Sequence, residues 1–146
     1  MGVTVAIDSP DEMCDLMCDN RLPTRKMKRI VPGKIYRGLP CSVVAVGCAL
    51  KISDSATLRR LYSPSMHSDG YLSLDGMNRL VRANMGVIRR VNYRRGERPC
   101  LRDFCHYFDG KAVVCVAGHF VYVEDGNYYS FFKNGNDEVI SVWEVA

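Results

Sequence analysis

The feature of this sequence that most constrains its fold is a series of four short runs of β-branched and aromatic residues after Gly110. Glycine-containing turn sequences at 117–118, 125–127 and 134–135 separate the runs. Runs of this composition at this spacing predict strands that pair antiparallel with their neighbours in the chain. The four predicted strands are 112–116, 119–123, 128–132 and 139–145.

The first 110 residues follow a different pattern, which favours helices. Helix-start signals recur along this part, and after three of them apolar residues repeat every three or four positions. The predicted starts are Ser9, Pro40, Asp54, Ser73 and Pro99. The segment after Pro40 is apolar on all sides and fits a buried strand or a buried helix, but Pro40 and the alanines favour the helix. Residues 87–93 alternate enough to predict one strand.

Chain length limits the number of domains. The chain has 146 residues, which suffice for one hydrophobic core but not for two ordinary domains. We therefore predict a single α+β domain with helices first and a sheet last. Its predicted parts are an N-terminal helix and basic segment at 1–37, a helical part at 38–110 and an antiparallel sheet at 111–146.

The distribution of apolar residues argues against a membrane protein. The longest uncharged stretches, 38–50 and 112–123, are shorter than the roughly 18 to 20 apolar residues that a membrane span needs. No cationic segment precedes the short apolar stretch at the N-terminus, unlike in a secretory signal. The seven cysteines are an odd number, which is unusual for a secreted disulfide scaffold. We predict a cytoplasmic protein with reduced thiols and no membrane partner.

Positive charge is concentrated in two blocks. Residues 21–37 contain seven Lys or Arg and no acidic residue, and residues 79–102 contain eight arginines and a single acid. These blocks either form solvated faces, which we favour, or converge in a patch that binds a polyanion such as nucleic acid. The predicted members of a patch are Arg89, Arg90, Arg94 and Arg95.

Cys41 and His119 are the strongest candidates for chemistry. Cys41 begins the predicted buried helix, where unpaired N–H groups and the helix dipole favour an anion and are expected to lower the thiol pKa. His119 follows a glycine at the start of an apolar strand, where its ring can face a helix end and act as general base and then acid. The alternative for both residues is ordinary core packing.

A zinc site is a weaker alternative. Cys14 and Cys18 are one helical turn apart and could join Cys100, Cys105 and His106 as ligands. Structural zinc usually shows two tight pairs of ligands, whereas the first pair here lies inside a predicted helix. We predict no metal and no cofactor.

Three segments of the sequence together suggest a family. They are GLPCSVVAVGCAL at 38–50, RPCLRDFCHYFDGKAVV at 98–114 and AGHFVYVEDGNYYSFF at 117–132. These segments resemble the papain-like cysteine peptidases, in particular small members such as bacteriocin leader-processing peptidases and papain-like proteins of bacteria and their viruses. The resemblance implies a papain-like fold, in which a nucleophile helix beginning at Cys41 packs on a C-terminal antiparallel sheet that carries His119.

The resemblance also implies a residue that orients the histidine. Relatives use Asp or Asn on the following strand, and the matching position here is Ser130. A hydroxyl can accept the imidazole N–H but stabilises an imidazolium less than a carboxylate does. Asn134, Asn136 and Asp137, from the next turn, are alternatives.

A second implied feature is the oxyanion hole. Many relatives complete it with a glutamine before the cysteine, but this sequence contains no glutamine. The backbone N–H of Cys41 would then need another donor, and the candidates are Asn20, Tyr36 and Arg37.

Taken together, these features predict a papain-like thiol hydrolase that cleaves a peptide, isopeptide or amide bond of a peptide or protein substrate. Cys41 would be the nucleophile, His119 the general base and acid, and Ser130 the residue that orients the ring. The alternative is a catalytically impaired papain-like fold that binds an acidic protein or, less favoured, nucleic acid.

Overall fold

The computed structural model describes residues 27–62 and 72–146. The helix predicted from Ser9, the pair Cys14 and Cys18, and the oxyanion candidate Asn20 lie outside these described residues. None of the described helices is long and apolar enough to cross a membrane.

Among the described residues, the centre of the fold is a mixed sheet of six strands. The strands are β1 (Arg29–Ile30), β2 (Val87–Asn92), β3 (Lys111–Val116), β4 (His119–Glu124), β5 (Asn127–Tyr129) and β6 (Val139–Val145). Their order across the sheet is β1-β5-β4-β3-β6-β2. β1 pairs parallel with β5, and the other pairings are antiparallel. Gly118 and Gly126 adopt positive φ in the turns between β3, β4 and β5, a conformation that favours glycine.

Four α-helices precede β3 in the described part of the chain. They are α1 (Cys41–Ala49), α2 (Ser55–Arg59), α3 (Leu74–Asn84) and α4 (Leu101–Tyr107). Two predicted N-caps are confirmed: Asp54 accepts the Thr57 N–H at the start of α2, and Ser73 accepts the Gly76 N–H at the start of α3. The helix predicted after Pro40 is confirmed as α1.

Side chains on the two faces of the sheet form two hydrophobic clusters. Because successive side chains of a strand point to opposite faces, Val113 and Cys115 join one cluster, and Val114 and Val116 join the other. Residues of α1, α2 and α3 belong to the first cluster, and residues of α4 belong to the second. Helices therefore cover both faces of the sheet, and α1 packs against β4.

The predicted α+β class is confirmed, but the sheet extends further than predicted. It is not confined to residues 111–146, because β1 and β2 come from earlier parts of the chain and form its two edges. The strand predicted at 87–93 is present as β2, where it pairs with β6. The parallel pairing of β1 makes the sheet mixed rather than purely antiparallel.

Two predicted boundaries shift for local reasons. The third predicted strand of the C-terminal part ends at Tyr129, because the Phe132 N–H turns to the hydroxyl of Ser130 instead of extending a strand. The helix α4 begins at Leu101 rather than at Pro99, since the Pro99 carbonyl accepts an N–H from β6.

Candidate active site

The helix α1 sets the position of Cys41. Residues 42–48 are buried, so the helix packs into the core on all sides, as its uniformly apolar sequence predicts. The carbonyl of Pro40 accepts the Val44 N–H as the first intrahelical hydrogen bond. Cys41 is the first residue of the helix and is half-buried. Its thiol therefore lies at the helix end where N–H groups lack intrahelical partners.

Cys41, His119 and Ser130 line one cleft of about 270 Å³. His119 begins β4 and Ser130 follows β5, and the antiparallel pairing of these strands brings both residues to the same end of the sheet. The packing of α1 against β4 brings Cys41 to that end as well. The three residues predicted to be catalytic are thus neighbours in the fold, although they are far apart in the sequence.

A chain of hydrogen bonds connects His119 to the carboxylate of Asp137. His119 Nε2 lies 3.4 Å from Ser130 Oγ. Ser130 Oγ lies 2.8 Å from Asn134 Oδ1, and Asn134 Nδ2 lies 2.8 Å from Asp137 Oδ2. Ser130 and Asn134 are buried, so the middle of this chain is shielded from solvent. Asn134 and Asp137 are therefore hydrogen-bonded in series with Ser130. Asn136 is exposed and takes no part in these hydrogen bonds.

The Asp137 carboxylate fixes the direction of these hydrogen bonds. A carboxylate only accepts, so the amide NH₂ of Asn134 faces Asp137 and its carbonyl faces Ser130. The Ser130 hydroxyl donates its one proton to Asn134, and its lone pairs accept the Phe132 N–H, 3.0 Å away, and the N–H of His119 Nε2. His119 is thus held with its proton on Nε2, which leaves Nδ1 as the basic nitrogen.

Two neighbouring elements hold this chain in place. At the start of α4, the Leu101 N–H donates to the Asp137 carbonyl and the Arg102 N–H to the Gly135 carbonyl, with a nitrogen–oxygen distance of 2.9 Å in each case. The unpaired donors of that helix end therefore fix the turn that carries the carboxylate. On the other side, Arg29 of β1 donates to the backbone just after β5 at 3.1 Å.

Burial dominates the acidity of the Cys41 thiol. It raises the thiol pKa above its ordinary value, while the backbone N–H groups of Phe120, Ser42 and Cys41 itself oppose the rise. The expectation of a lowered thiol pKa is therefore wrong for this structure, because burial destabilises the thiolate more than the backbone N–H groups stabilise it. The resting group is a thiol, which needs a base to become a nucleophile.

Burial also sets the protonation state of His119. It lowers the imidazole pKa below its ordinary value, and the Asp137 carboxylate partly opposes this effect. The neutral ring that results is the form that can accept a proton from a thiol. The ring of Phe132 contacts the imidazole edge-on, with 5.4 Å between the centroids, and restricts its rotation.

Two of the predicted side-chain donors for an oxyanion, Tyr36 and Arg37, belong to the described residues, and neither lines the cleft. The Tyr36 hydroxyl donates to the Ile52 carbonyl, beyond the C-terminal end of α1 and away from the thiol. Arg37 is exposed, and its guanidinium lies over the Phe131 ring, 5.5 Å from the centroid. Among the described residues, the donors beside the thiol are backbone N–H groups at the start of α1 and at Phe120.

The predicted basic patch is divided by the sheet. Arg89 pairs with a glutamate of β6 at 3.0 Å. Arg90 is half-buried, and its guanidinium lies 4.4 Å from the centroid of the Trp143 ring. Adjacent residues of a strand point to opposite faces, so Arg89 and Arg90 do not share a surface. Arg94 and Arg95 are exposed beyond the end of β2.

Sequence reasoning missed two residues that hold the site. Arg29 was one cation within a basic block, and nothing marked it as a donor to the backbone after β5. The hydroxyl of Tyr128 accepts the Asn134 N–H at 3.0 Å, although the sequence showed it only as half of an aromatic pair. In the sequence, only the short spacing between the aromatic pair and the following glycine turn indicated that the Tyr128 hydroxyl could reach that turn.

Comparisons of this chain with protein-family models, with curated proteins and with solved structures found no match. The site is therefore interpreted from its own geometry. It combines a half-buried thiol, a neutral imidazole and a carboxylate linked to that imidazole through two side chains. Such an arrangement can remove a proton from a thiol and deliver it to a leaving group.

Proposed function

We propose that this protein is a papain-like thiol hydrolase that cleaves a peptide, isopeptide or amide bond. The observation that carries the proposal is the single cleft lined by Cys41, His119 and Ser130. A papain-like assignment is further supported by the arrangement of the elements, since the thiol begins a buried helix and the histidine begins a strand packed against that helix.

Acylation begins with transfer of the Cys41 thiol proton to Nδ1 of His119. The sulfur attacks the substrate carbonyl carbon, and the carbonyl oxygen becomes an oxyanion. When this intermediate collapses, the carbon–nitrogen bond breaks and the imidazolium gives its proton to the departing amine. A thioester between the acyl group and Cys41 remains.

Deacylation repeats these steps with water. Neutral His119 accepts a proton from water as the water oxygen attacks the thioester carbon. The carbon–sulfur bond then breaks, the carboxylic acid leaves, and the proton on His119 returns to the sulfur of Cys41. The enzyme is thereby restored to its resting thiol and neutral imidazole.

Backbone N–H groups stabilise the oxyanion in this proposal. The N–H groups of Cys41 and Ser42 belong to the first turn of α1, where they have no intrahelical acceptor. Preorganised N–H donors at such a position stabilise the negative charge that develops in the transition state. The site therefore does not depend on a glutamine side chain.

Ser130, Asn134 and Asp137 are positioning residues. They hold the Nε2 proton of His119 in place and leave Nδ1 as the nitrogen that takes the thiol proton in the proposed reaction. Because the carboxylate lies two side chains away, it stabilises the imidazolium at a distance rather than by direct contact. The series of three residues takes the place of an Asp or Asn that would contact the imidazole directly.

Thiol labelling tests the proposed nucleophile. Limiting iodoacetamide near pH 7, followed by mass-spectrometric mapping, should modify Cys41 first, because neutral His119 can take the thiol proton although burial raises the Cys41 pKa. The substitution His119→Ala should therefore slow its labelling. Cys100 is a matched comparison, since it is also half-buried at the start of a helix. Preferential labelling of Cys100, or Cys41 labelling that does not respond to His119→Ala, would contradict the proposal.

Hydrolysis of a random peptide library tests the reaction itself. The wild-type protein should produce new peptide termini, and Cys41→Ala and His119→Ala should abolish them while both variants stay folded by circular dichroism. Cleavage that persists in Cys41→Ala would assign the activity to a contaminant or to another site.

A further inference from the structure

A second groove opens beside the Cys41 cleft. It has a volume of about 560 Å³ and is lined by Val31, Arg37, Gly38, Leu39, Phe131 and Phe132. Leu39, Phe131 and Phe132 also line the cleft, so the two spaces are adjacent. We call this space the Arg37 groove. A substrate held in the cleft would extend into it.

The walls of the Arg37 groove are apolar and open to solvent. Val31 is 50% exposed and Phe132 is 63% exposed, and both are large hydrophobic side chains at the surface. Exposed apolar side chains that share a groove are typical of binding surfaces, because their contact with water is unfavourable. The volume is large enough for more than one side chain of a peptide.

Arg37 provides the charge in this groove. Its guanidinium carbon lies 5.5 Å from the Phe131 ring centroid, so stacking restrains it against the wall. No carboxylate of residues 27–62 or 72–146 forms an ion pair with it. The other lining residues carry no charge. The groove therefore presents a single cation, held among apolar side chains, to whatever enters it.

We infer that the Arg37 groove is a specificity site that binds the substrate segment next to the scissile bond and selects an apolar side chain together with a neighbouring carboxylate. This inference rests on the proposed hydrolase function, because a substrate bound in the adjacent Cys41 cleft is the occupant of the groove. The apolar walls take the aliphatic or aromatic side chain. Arg37 pairs with the Asp or Glu beside it, or with a terminal carboxylate.

The apolar walls favour a peptide over a nucleic acid as the occupant. A nucleic-acid site needs several cations along a phosphate backbone, whereas the described lining of this groove contains one. A peptide that alternates apolar and acidic side chains matches both features of the groove at once. The substrate class is therefore a peptide or protein segment with an acidic and apolar sequence around the cleaved bond.

Cleavage-site profiling tests the inference. A library of N-acetylated random decapeptides is digested with wild type, Arg37→Glu, Val31→Ser and Arg95→Glu, and cleaved positions are read by mass spectrometry. In wild type we expect Asp and Glu to be enriched within three residues of the cleaved bond, about fivefold over Lys, the upper range for an exposed ion pair. Arg37→Glu should reverse this preference, and Val31→Ser should weaken the apolar preference.

Arg95→Glu is the matched control, since Arg95 is an exposed arginine that does not line the groove. It should leave the profile unchanged. Cleavage without any charge preference would overturn the inference and leave the hydrolase proposal intact. An increase of Arg37→Glu activity on all peptides alike would also overturn it, because a gain that does not depend on the charge of the peptide cannot come from an ion pair with the substrate.

A binding experiment separates failure of the inference from failure of the proposed function. Two fluorescent peptides that differ only by Glu or Lys beside a Phe are titrated into Cys41→Ala, with and without Arg37→Glu. Tighter binding of the Glu peptide, lost with Arg37→Glu, would support the groove even if the wild type cleaved no peptide. Equal affinities would overturn it.

Discussion

At the scale of single residues, the imidazole of His119 depends on a carboxylate that it does not touch. Asp137 orients Asn134, which orients Ser130, and Ser130 in turn fixes the proton of the imidazole on Nε2. Each link uses the donor and acceptor capacity that the previous link leaves open. A serine can therefore occupy the orienting position, provided that the residues behind it define which way its hydroxyl points.

The first prediction concerns Asn134. Replacing it with Ala frees the Ser130 hydroxyl to donate to Nε2 of His119. The imidazole proton would then lie on Nδ1, which could no longer accept the thiol proton. We expect a loss of roughly 10²-fold in kcat/KM for peptide cleavage, the size of effect that misplaced catalytic groups produce. Asn136→Ala is the control, because Asn136 is exposed and takes no part in the hydrogen bonds between His119 and Asp137. Equal losses in both variants would argue against a positioning role.

The second prediction concerns pH. The proposed base must be neutral, and burial lowers the pKa of His119, so the acidic limb of kcat/KM should have its midpoint below the ordinary histidine value of about 6.5. Asp137 raises this pKa, and Asp137→Asn should therefore shift the limb to still lower pH. A limb that moves upward in the variant, or stays in place, would contradict the assignment of the limb to His119.

At the scale of elements, α1 depends on a close approach at Gly47. A Cβ at this position would lie 2.6 Å from Leu58 Cδ2 and 2.7 Å from Tyr36 Cε1. Leu58 and Tyr36 are buried, and the Tyr36 hydroxyl is held by a hydrogen bond, so an added Cβ would force packed side chains to shift. The helix that carries the thiol therefore packs this closely against Leu58 and Tyr36 because residue 47 has no side chain.

The third prediction follows from this contact. Gly47→Ala should destabilise the protein by up to about 2 kcal/mol, because the helix-propensity gain of about 1 kcal/mol offsets only part of an overpacking cost of about 1 to 3 kcal/mol. Gly33→Ala is the control, since Gly33 has an extended backbone with no atom within 4 Å of an added Cβ. It should leave stability unchanged or slightly increased. Chemical denaturation of both variants measures the difference.

The elements that the sequence predicts well are those with local signals. The caps at Asp54 and Ser73 and the alternation of β2 depend on neighbouring residues, so they could be read directly. The two residues of β1 carry no periodicity, and their parallel pairing with β5 depends on the tertiary fold. The same holds for the site. The sequence named Ser130 and, as alternatives from the next turn, Asn134, Asn136 and Asp137, but it did not predict that Ser130, Asn134 and Asp137 are hydrogen-bonded one after another.

At the scale of the whole molecule, the sheet separates two hydrophobic clusters, and only one of them includes α1. Phe104 of α4 belongs to the other cluster, where it is fully buried and stacks on Phe108 with 4.8 Å between the ring centroids. Cys41 is only partly buried at the border of its cluster. The residues that stabilise the fold and those proposed for chemistry are thus largely distinct.

The fourth prediction compares these two positions. Phe104→Ala should cost roughly 3 to 5 kcal/mol of unfolding free energy, as large-to-small changes in a packed core do. Cys41→Ala should cost much less, because it removes one partly exposed sulfur. Thermal melts of both variants decide the question. If Cys41→Ala lowered the melting temperature as much as Phe104→Ala, the thiol would be primarily a structural residue.

The last prediction concerns the alternative function as a nucleic-acid binding module. Arg89 is paired with Glu144, and Arg90 is half-buried over an aromatic ring, so neither is free to contact phosphate. Of the predicted patch, Arg94 and Arg95 remain exposed. Because affinity for nucleic acid is the sum of many phosphate contacts, two cations support little binding. We therefore expect weak or no binding of a labelled duplex or single strand, even at low salt.

Titrations at two salt concentrations test this expectation, with wild type, Arg94→Glu/Arg95→Glu and the exposed control pair Arg59→Glu/Arg60→Glu of the α2 terminus. Each phosphate contact contributes about −0.9 for duplex or −0.7 for single strands to the slope of log affinity against log salt. Tight binding with a slope that loses about two such contacts in Arg94→Glu/Arg95→Glu, but not in the control, would contradict our expectation. It would mean that further cations of the protein join this pair, and it would favour a binding module over a hydrolase as the function.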